Sequence, residues 1–168
     1  GGALTTPARP FVAMLGGAKV KDKIKVIDAL LPKVDSLIVG GGMSYTFNKA
    51  AGREIGKSLL DSDSLPYCAS LLGNEKLVLP VDVVVAGAFS NDAPSTVVAN
   101  TAMPADQEGL DIGPETIEKF AAVIRGAKTV IWNGPMGVFE MPNFAKGTKA
   151  IADAMADATA AGAITIVG

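Results

Sequence analysis

The residues best suited to chemistry lie in segment 132–140, which reads WNGPMGVFE and directly follows the apolar run at 129–131. A β-branched run that ends in glycine and proline predicts a strand followed by a rigid turn with an exposed backbone. In open α/β sheets, ligands bind at such carboxyl ends of strands. Glu140 closes the segment, and its carboxylate could accept hydrogen bonds from both hydroxyls of a ribose or, alternatively, be a charge at a helix start. The segment therefore points to a nucleotide.

A second cluster, GGAKV at 16–20, follows the predicted strand Phe11–Leu15. Glycines let a phosphate approach the backbone, amides at a helix start donate to it, and lysines neutralise its charge. Because residues four apart share one face of a helix, Lys19 and Lys23 can reach the same polyphosphate if the helix begins early. A tight turn with solvated lysines remains the alternative, and this motif alone does not decide between the two.

A third cluster, Gly40 to Gly42, follows the apolar run at 37–39 and could offer a flat surface to a ring or a phosphate. Neither this cluster nor the one at 16–20 fits the GxGxxG pattern of dinucleotide sites. Segment 51–58, AGREIGKS, matches a relaxed Walker A pattern, but a true P-loop needs a strand before it and a helix after it. A helix is predicted before this segment, so we interpret the match as false, although Leu59 beside it could touch a base.

The composition excludes several kinds of site. The 168 residues include no histidine, so neither a histidine-dependent nucleophile nor a histidine-ligated zinc can be present. The single cysteine, Cys68, fits a reducing cytoplasm. A net charge of −2 gives no basic field for nucleic acid, and no apolar stretch approaches the ~20 residues of a membrane span. No carboxylates have metal-ligand spacing, so any magnesium must be held largely by nucleotide phosphates.

The elements that position these motifs alternate along the chain. Near-continuous apolar runs predict buried strands at 11–15, 37–39, 77–79, 83–86, 129–132 and 164–167. Amphipathic stretches predict helices at 21–31, 43–51, 65–72, 114–124 and 143–161. This alternation indicates an α/β protein, a three-layer α/β/α sandwich on a parallel sheet. Pro80 implies two short strands or one bent strand around it, and 87–111 is predicted to be an excursion with unread secondary structure.

In this order and spacing, the segments LGGAKVKDKI, VGGGMSYTF, GLDIGPET and WNGPMGVFE resemble the nucleotide-binding C-terminal domain of the phosphoglycerate kinase family. The resemblance covers essentially the whole chain. It implies a Rossmann-like parallel sheet in a cytoplasmic, monomeric enzyme. It also implies reversible phosphoryl transfer between ATP and 3-phosphoglycerate, with ATP or ADP bound together with Mg.

Carried over by motif, the resemblance assigns a catalytic role to Lys19, which would stabilise the phosphoryl group in flight. Lys23 would bind a terminal phosphate, and Glu140 would hold the ribose. The remaining phosphate contacts would be Gly17, Ala18, Asn133 and Gly137. The adenine slot would be formed by Gly41, Gly42, Leu59, Gly113, Pro135 and Val138.

Two parts of the family pattern are absent from residues 1–168: the N-terminal domain that binds 3-phosphoglycerate, and the GGDT or GGDS loop expected after Gly168. The chain is therefore expected to be a nucleotide-binding domain, incomplete at its C-terminal end, that binds nucleotide weakly without turnover. The alternative is a non-catalytic domain of the same fold with a vacant site and a structural or interaction role. Substitution of Glu140 by alanine would distinguish the two, because unchanged nucleotide affinity favours the alternative.

Overall fold

The computed structural model describes residues 6–168, so residues 1–5 of the predicted domain lie outside the described residues. The strands are β1 Phe11–Leu15, β2 Ser36–Val39, β3 Leu77–Val78, β4 Asp82–Ala86, β5 Ser95–Ala99, β6 Glu108–Ile112, β7 Thr129–Asn133 and β8 Ile164–Val167. The helices are α1 Ile24–Leu30, α2 Met43–Ala50, α3 Leu65–Leu71, α4 Pro114–Arg125 and α5 Lys146–Ala160. Short 3₁₀ helices occur at Val20–Asp22, Ser62–Ser64 and Pro142–Phe144.

The larger sheet is parallel and has the strand order β3-β2-β1-β7-β8. Its central strand β1 is buried along its whole length, as expected for an apolar strand covered on both faces. Residues of β1 and β2 pack on one face against α1, α2 and α3 through Phe11, Leu37, Ile27, Met43, Phe47 and Cys68. The other face packs against α4 and α5 through Met14, Val130, Phe120, Ile124, Ile151 and Met155. The predicted three-layer α/β/α sandwich is confirmed.

The parallel register brings three strand ends together. Leu15 at the end of β1 pairs with Val39 at the end of β2 and with Asn133 at the end of β7. The glycine-containing segments that follow these residues therefore start side by side at one edge of the sheet.

The smaller sheet is antiparallel, with the strand order β5-β4-β6. We expected residues 83–86 to extend the parallel sheet, and that expectation is wrong: β4 is the centre of the antiparallel sheet. Only residues 79–81 separate β3 from β4, which is far too short for the crossover that parallel strands require. The unread secondary structure expected in 87–111 is β5 and β6.

Helix α4 begins as its sequence predicts, with Gly113 at the N-cap and Pro114 in the first turn. Its first amides are satisfied from the antiparallel sheet: the Asp82 carboxylate accepts hydrogen bonds from the main-chain N–H groups of Glu115, at 3.0 Å, and Thr116, at 2.8 Å. This contact fixes the helix to β4. Within residues 6–168, none of the helices has the length and apolar character that crossing a membrane requires.

Candidate functional site

The predicted glycine segments meet through their backbones. The Gly16 N–H donates to the carbonyl oxygen of Asn133 at 2.8 Å, and the Gly40 N–H donates to that of Leu15 at 2.9 Å. The Met43 N–H, at the start of α2, donates to the carbonyl oxygen of Gly17 at 2.8 Å. The three loops therefore form one continuous surface at the edge of the parallel sheet.

Two glycines in these loops are required by their conformation and by their neighbours. Gly41 has a φ of +68°, and a Cβ on it would lie 2.6 Å from the carbonyl oxygen of Pro135. Gly134 has a φ of +96°, and a Cβ there would lie 2.2 Å from the carbonyl oxygen of Gly16. A side chain at either position would strain the backbone and push the loops apart.

A pocket of about 290 Å³ opens on this surface, close to the lower end of the range for small-molecule sites. Part of its lining was predicted from the sequence: Gly17, Ala18, Gly41, Gly42, Leu59, Pro135, Gly137, Val138 and Glu140. The structure adds a set that sequence reasoning missed: Tyr45, Phe89, Glu108, Gly109 and Leu110. The pocket therefore lies where the loops of the parallel sheet face β6 of the antiparallel sheet.

The missed residues come mainly from α2 and β6. Gly109 and Leu110 belong to the GLDIGPET segment already singled out, and a glycine inside a strand is itself a signal of close approach. A Cβ on Gly109 would lie 2.4 Å from the ring carbon Cζ and from the hydroxyl oxygen of Tyr45. The missing side chain thus lets β6 lie directly against the tyrosine ring.

Gly113, predicted to be part of the adenine slot, does not line the pocket. It lies at the N-cap of α4, where a Cβ would come within 2.3 Å of the Asp82 carboxyl carbon. The capping contact between Asp82 and α4 therefore accounts for a glycine at this position. Of the two glycines in the segment, Gly109 is the one that the structure brings to the pocket.

Lys23 and Asn133 lie outside the pocket lining but contact each other. The Lys23 ammonium donates a hydrogen bond to the side-chain oxygen of Asn133. A Cβ on Gly17 would lie 3.7 Å from Cε of Lys23, so this pair lies beside the first glycine loop. The structure thus places an ammonium and a carboxamide at one end of the glycine surface, next to the pocket.

Lys19 is exposed and outside the pocket lining. Its backbone is extended, with φ −125° and ψ 133°, and it precedes the 3₁₀ helix Val20–Asp22. Helix α1 begins only at Ile24, so the early helix start that would align Lys19 with Lys23 on one helical face does not occur. Lys19 instead continues the loop after Gly17 and Ala18 in an extended conformation.

Glu140 lies at the exposed rim of the pocket. The helix-start alternative finds no support, because neither the 3₁₀ helix Pro142–Phe144 nor α5 has an acidic residue in its first turn. As an exposed residue of the pocket lining, Glu140 is available to accept hydrogen bonds from a bound molecule.

Asp111 is a buried carboxylate, only 1% exposed, behind the pocket. Its oxygens accept hydrogen bonds from the main-chain N–H groups of Gly147 and Ile112, each at 2.9 Å. Burial raises its pKa to about 6, against the opposing effect of those hydrogen bonds and of the Lys146 ammonium. Asp111 therefore joins β6 to the start of α5.

The Walker A-like segment at 51–58 follows α2 and is not flanked by a strand and a helix, which confirms that the match is false. Its Ser58 hydroxyl accepts a hydrogen bond from the Gly109 N–H at 2.9 Å and so supports the pocket wall. Within residues 6–168, His, Cys, Asp and Glu side chains do not gather in the groups of three or more that a metal site would use.

The amino-acid sequence of the chain is similar to those of known proteins along its whole length. The phosphoglycerate kinase family model matches residues 1–168. The phosphoglycerate kinase of Chloroflexus aurantiacus is 57% identical over 173 residues, which cover 100% of this chain and 43% of that protein. The phosphoglycerate kinase of Enterococcus faecalis is 56% identical over 170 residues, covering 100% of this chain and 42% of that protein.

Solved structures agree. Phosphoglycerate kinase from Coxiella burnetii superimposes with a TM-score of 0.94 at 44% identity, over 99% of this chain and 43% of that one. The enzyme from Pyrococcus horikoshii gives a TM-score of 0.84 at 28% identity, again over 99% and 43%. The chain thus spans about 43% of the length of the relatives it matches.

Proposed function

Because this chain belongs to the phosphoglycerate kinase family, we propose that it forms the adenine-nucleotide-binding part of an enzyme. That enzyme transfers a phosphoryl group reversibly between ATP and 3-phosphoglycerate. The observation that carries the proposal is the pocket at the junction of the glycine loops and β6. It is concave, mostly apolar and bordered by polar groups at its ends, as nucleotide sites are.

The apolar part of the pocket suits the base. Gly42 and Leu59 form one wall, since a Cβ on Gly42 would lie 2.9 Å from a methyl carbon of Leu59. Val138 also lines the pocket, and its N–H donates a hydrogen bond to the carbonyl oxygen of Leu110 on β6 at 2.8 Å. Leu59 is 58% exposed, so a base placed here would cover apolar surface that water now contacts. Glu140 at the rim would receive the ribose hydroxyls.

The glycine end of the surface suits the phosphates. Gly17 and Ala18 present backbone without bulky side chains, and Lys23 with Asn133 supplies hydrogen-bond donors beside them. Lys19, next along the loop, would stabilise charge on the transferred group. Phosphoryl transfer needs mainly positioning and charge stabilisation from the protein, which suits a site without histidine.

Magnesium would arrive with the nucleotide and be held by its phosphates, since the described residues supply no cluster of metal ligands. In this proposal 3-phosphoglycerate binds to parts of the enzyme beyond the matched 43%. The chain itself binds nucleotide weakly, does not turn over, and works as a monomer in the cytoplasm without nucleic-acid or membrane partners.

Calorimetric titration of the chain with MgADP, alongside the Glu140→Ala variant, tests this function. We expect saturable binding that weakens several-fold in the variant, because a charge-assisted contact to the ribose is lost. Glu118→Ala is the matched control, because Glu118 is an exposed carboxylate on α4 and does not line the pocket. Equal affinity of the parent and Glu140→Ala would favour a non-catalytic domain with a vacant site.

A further inference from the structure

Tyr45 is a pocket residue that the proposed contacts leave without a role. It lies on α2 and is only 6% exposed. Its ring belongs to a separate apolar cluster beneath the pocket, together with Ile55, Val83, Val85 and Met103. The ring is therefore part of the core, while its hydroxyl end lies in the pocket wall against Gly109.

The Tyr45 hydroxyl makes no hydrogen bond to any of the residues 6–168. Tyr67, the other tyrosine of the chain, behaves differently, since its hydroxyl donates to the Asp28 carboxylate at 2.6 Å. Because Tyr45 lines the pocket, its hydroxyl is open to solvent there, and a ligand that fills the pocket can replace water as its hydrogen-bond partner. The position of Tyr45 thus suggests a contact that forms only when the pocket is filled.

The surroundings of the hydroxyl indicate which part of a nucleotide it meets. Burial, together with the nearby carboxylates of Asp111 and Glu108, raises the pKa of the Tyr45 hydroxyl, so that it keeps its proton and can donate. The same carboxylates disfavour a phosphate at this place. A neutral acceptor is the partner that suits a protonated hydroxyl here, and the ring nitrogens of a purine are such acceptors.

We propose that the Tyr45 hydroxyl donates a hydrogen bond to a ring nitrogen of the bound purine and that Tyr45 is a specificity-determining residue of the site. This inference rests on the proposed nucleotide-binding function. The donor is held in place before the ligand arrives, because its ring packs on Gly109 and the Gly109 N–H is fixed by Ser58. A positioned donor loses little entropy on binding, so the contact contributes to affinity.

The test pairs a substitution with changes in the ligand. Tyr45→Phe removes the hydroxyl and keeps the ring, while 1-deaza-, 3-deaza- and 7-deaza-ADP each remove one ring nitrogen. We expect Tyr45→Phe to weaken MgADP binding roughly 2- to 10-fold. In the parent chain, one deaza analogue is expected to lose affinity by a similar factor. That same analogue and ADP should then bind equally well to Tyr45→Phe, because the two changes remove one interaction.

Tyr67→Phe is the control, since it also removes a tyrosine hydroxyl but lies on α3 and outside the pocket lining. If removing a ring nitrogen lowers the affinity by the same factor in Tyr45→Phe as in the parent chain, the proposal is overturned. If Tyr45→Phe does not fold, as judged by circular dichroism, equal binding of ADP and all three analogues by the parent would overturn it instead. A parent chain that binds MgADP with no effect of Tyr45→Phe contradicts this inference alone. A parent chain that binds no MgADP contradicts the proposed function as well.

Discussion

The N–H of Val138 donates a hydrogen bond to the carbonyl oxygen of Leu110 at 2.8 Å, and this contact joins the loop after the parallel sheet to β6 of the antiparallel sheet. Both residues line the pocket. The neighbouring Asp111 extends the junction by accepting a hydrogen bond from the Gly147 N–H at the start of α5. The shape of the pocket therefore depends on how closely the loop and the strand approach each other.

Gly137→Ala should disturb this junction. A Cβ on Gly137 would lie 2.4 Å from a carboxylate oxygen of Asp111 and 2.8 Å from the carbonyl oxygen of Leu110. We expect a loss of about 1–3 kcal/mol in the free energy of unfolding, measured by urea titration, together with weaker MgADP binding. Gly73→Ala is the control, because a Cβ on Gly73 meets nothing within 4 Å. Equal stability of the two variants would contradict the junction described here.

Leu59→Ser tests whether the exposed leucine contacts the base. The substitution removes apolar surface that the ligand would cover, so MgADP affinity should fall about 5-fold in calorimetry while the melting temperature stays nearly unchanged. Leu60→Ser is a close control, since Leu60 is 43% exposed but does not line the pocket. Equal losses of affinity in the two variants would argue against a base at this wall.

Lys23→Met tests the phosphate end. Loss of the ammonium beside Asn133 should weaken MgATP binding roughly tenfold, because charge-assisted hydrogen bonds to phosphate are among the stronger polar contacts. Binding to the variant should also depend less on salt concentration than binding to the parent. Lys33→Met, at an exposed lysine beyond the far end of α1 from Lys23, should match the parent in both titrations. An unchanged affinity of Lys23→Met would remove Lys23 from the site.

Asp111 should make stability depend on pH in a defined direction. Its pKa is raised to about 6 in the folded chain from an ordinary value of 3.8, chiefly by burial. The folded state therefore binds the proton of Asp111 more tightly than the unfolded state does. The stabilisation that protonated Asp111 contributes to the free energy of unfolding is complete below pH 3.8 and is lost as the pH rises through 6.

Asp111→Asn removes this titration. Denaturant unfolding at several pH values should show the stability of the variant rising relative to the parent between pH 3.8 and 6. The difference between the two should be constant above that window. Parallel stability curves across the window would contradict the raised pKa of Asp111.

The parallel sheet was predictable because its strands are continuous apolar runs that end in glycine turns. The antiparallel sheet was not, since the run at 83–86 has the same composition whether its neighbours are parallel or antiparallel. The short connection at 79–81 is the feature that distinguishes an antiparallel from a parallel position for this run. Strand β5 was missed because its residues are mostly exposed and therefore give little hydrophobic signal.

The candidate site was predictable only where its residues belong to local sequence features. The glycine loops are local features of the sequence, so most of the residues on the parallel-sheet side of the pocket could be named in advance. Tyr45 and Gly109 meet only because β6 packs against α2, which is a tertiary contact with no local signature. The role expected of Gly113 depended on a motif match, whereas the capping carboxylate of Asp82 lies far away in sequence.

Titration of the 168-residue chain with MgADP in a calorimeter tests the central claim most directly. We predict saturable binding at one site with an affinity in the millimolar range or tighter, abolished or weakened by Glu140→Ala and unaffected by Glu118→Ala. The absence of any binding heat at millimolar MgADP, from a chain shown to be folded by circular dichroism, would contradict the assignment of the pocket to an adenine nucleotide.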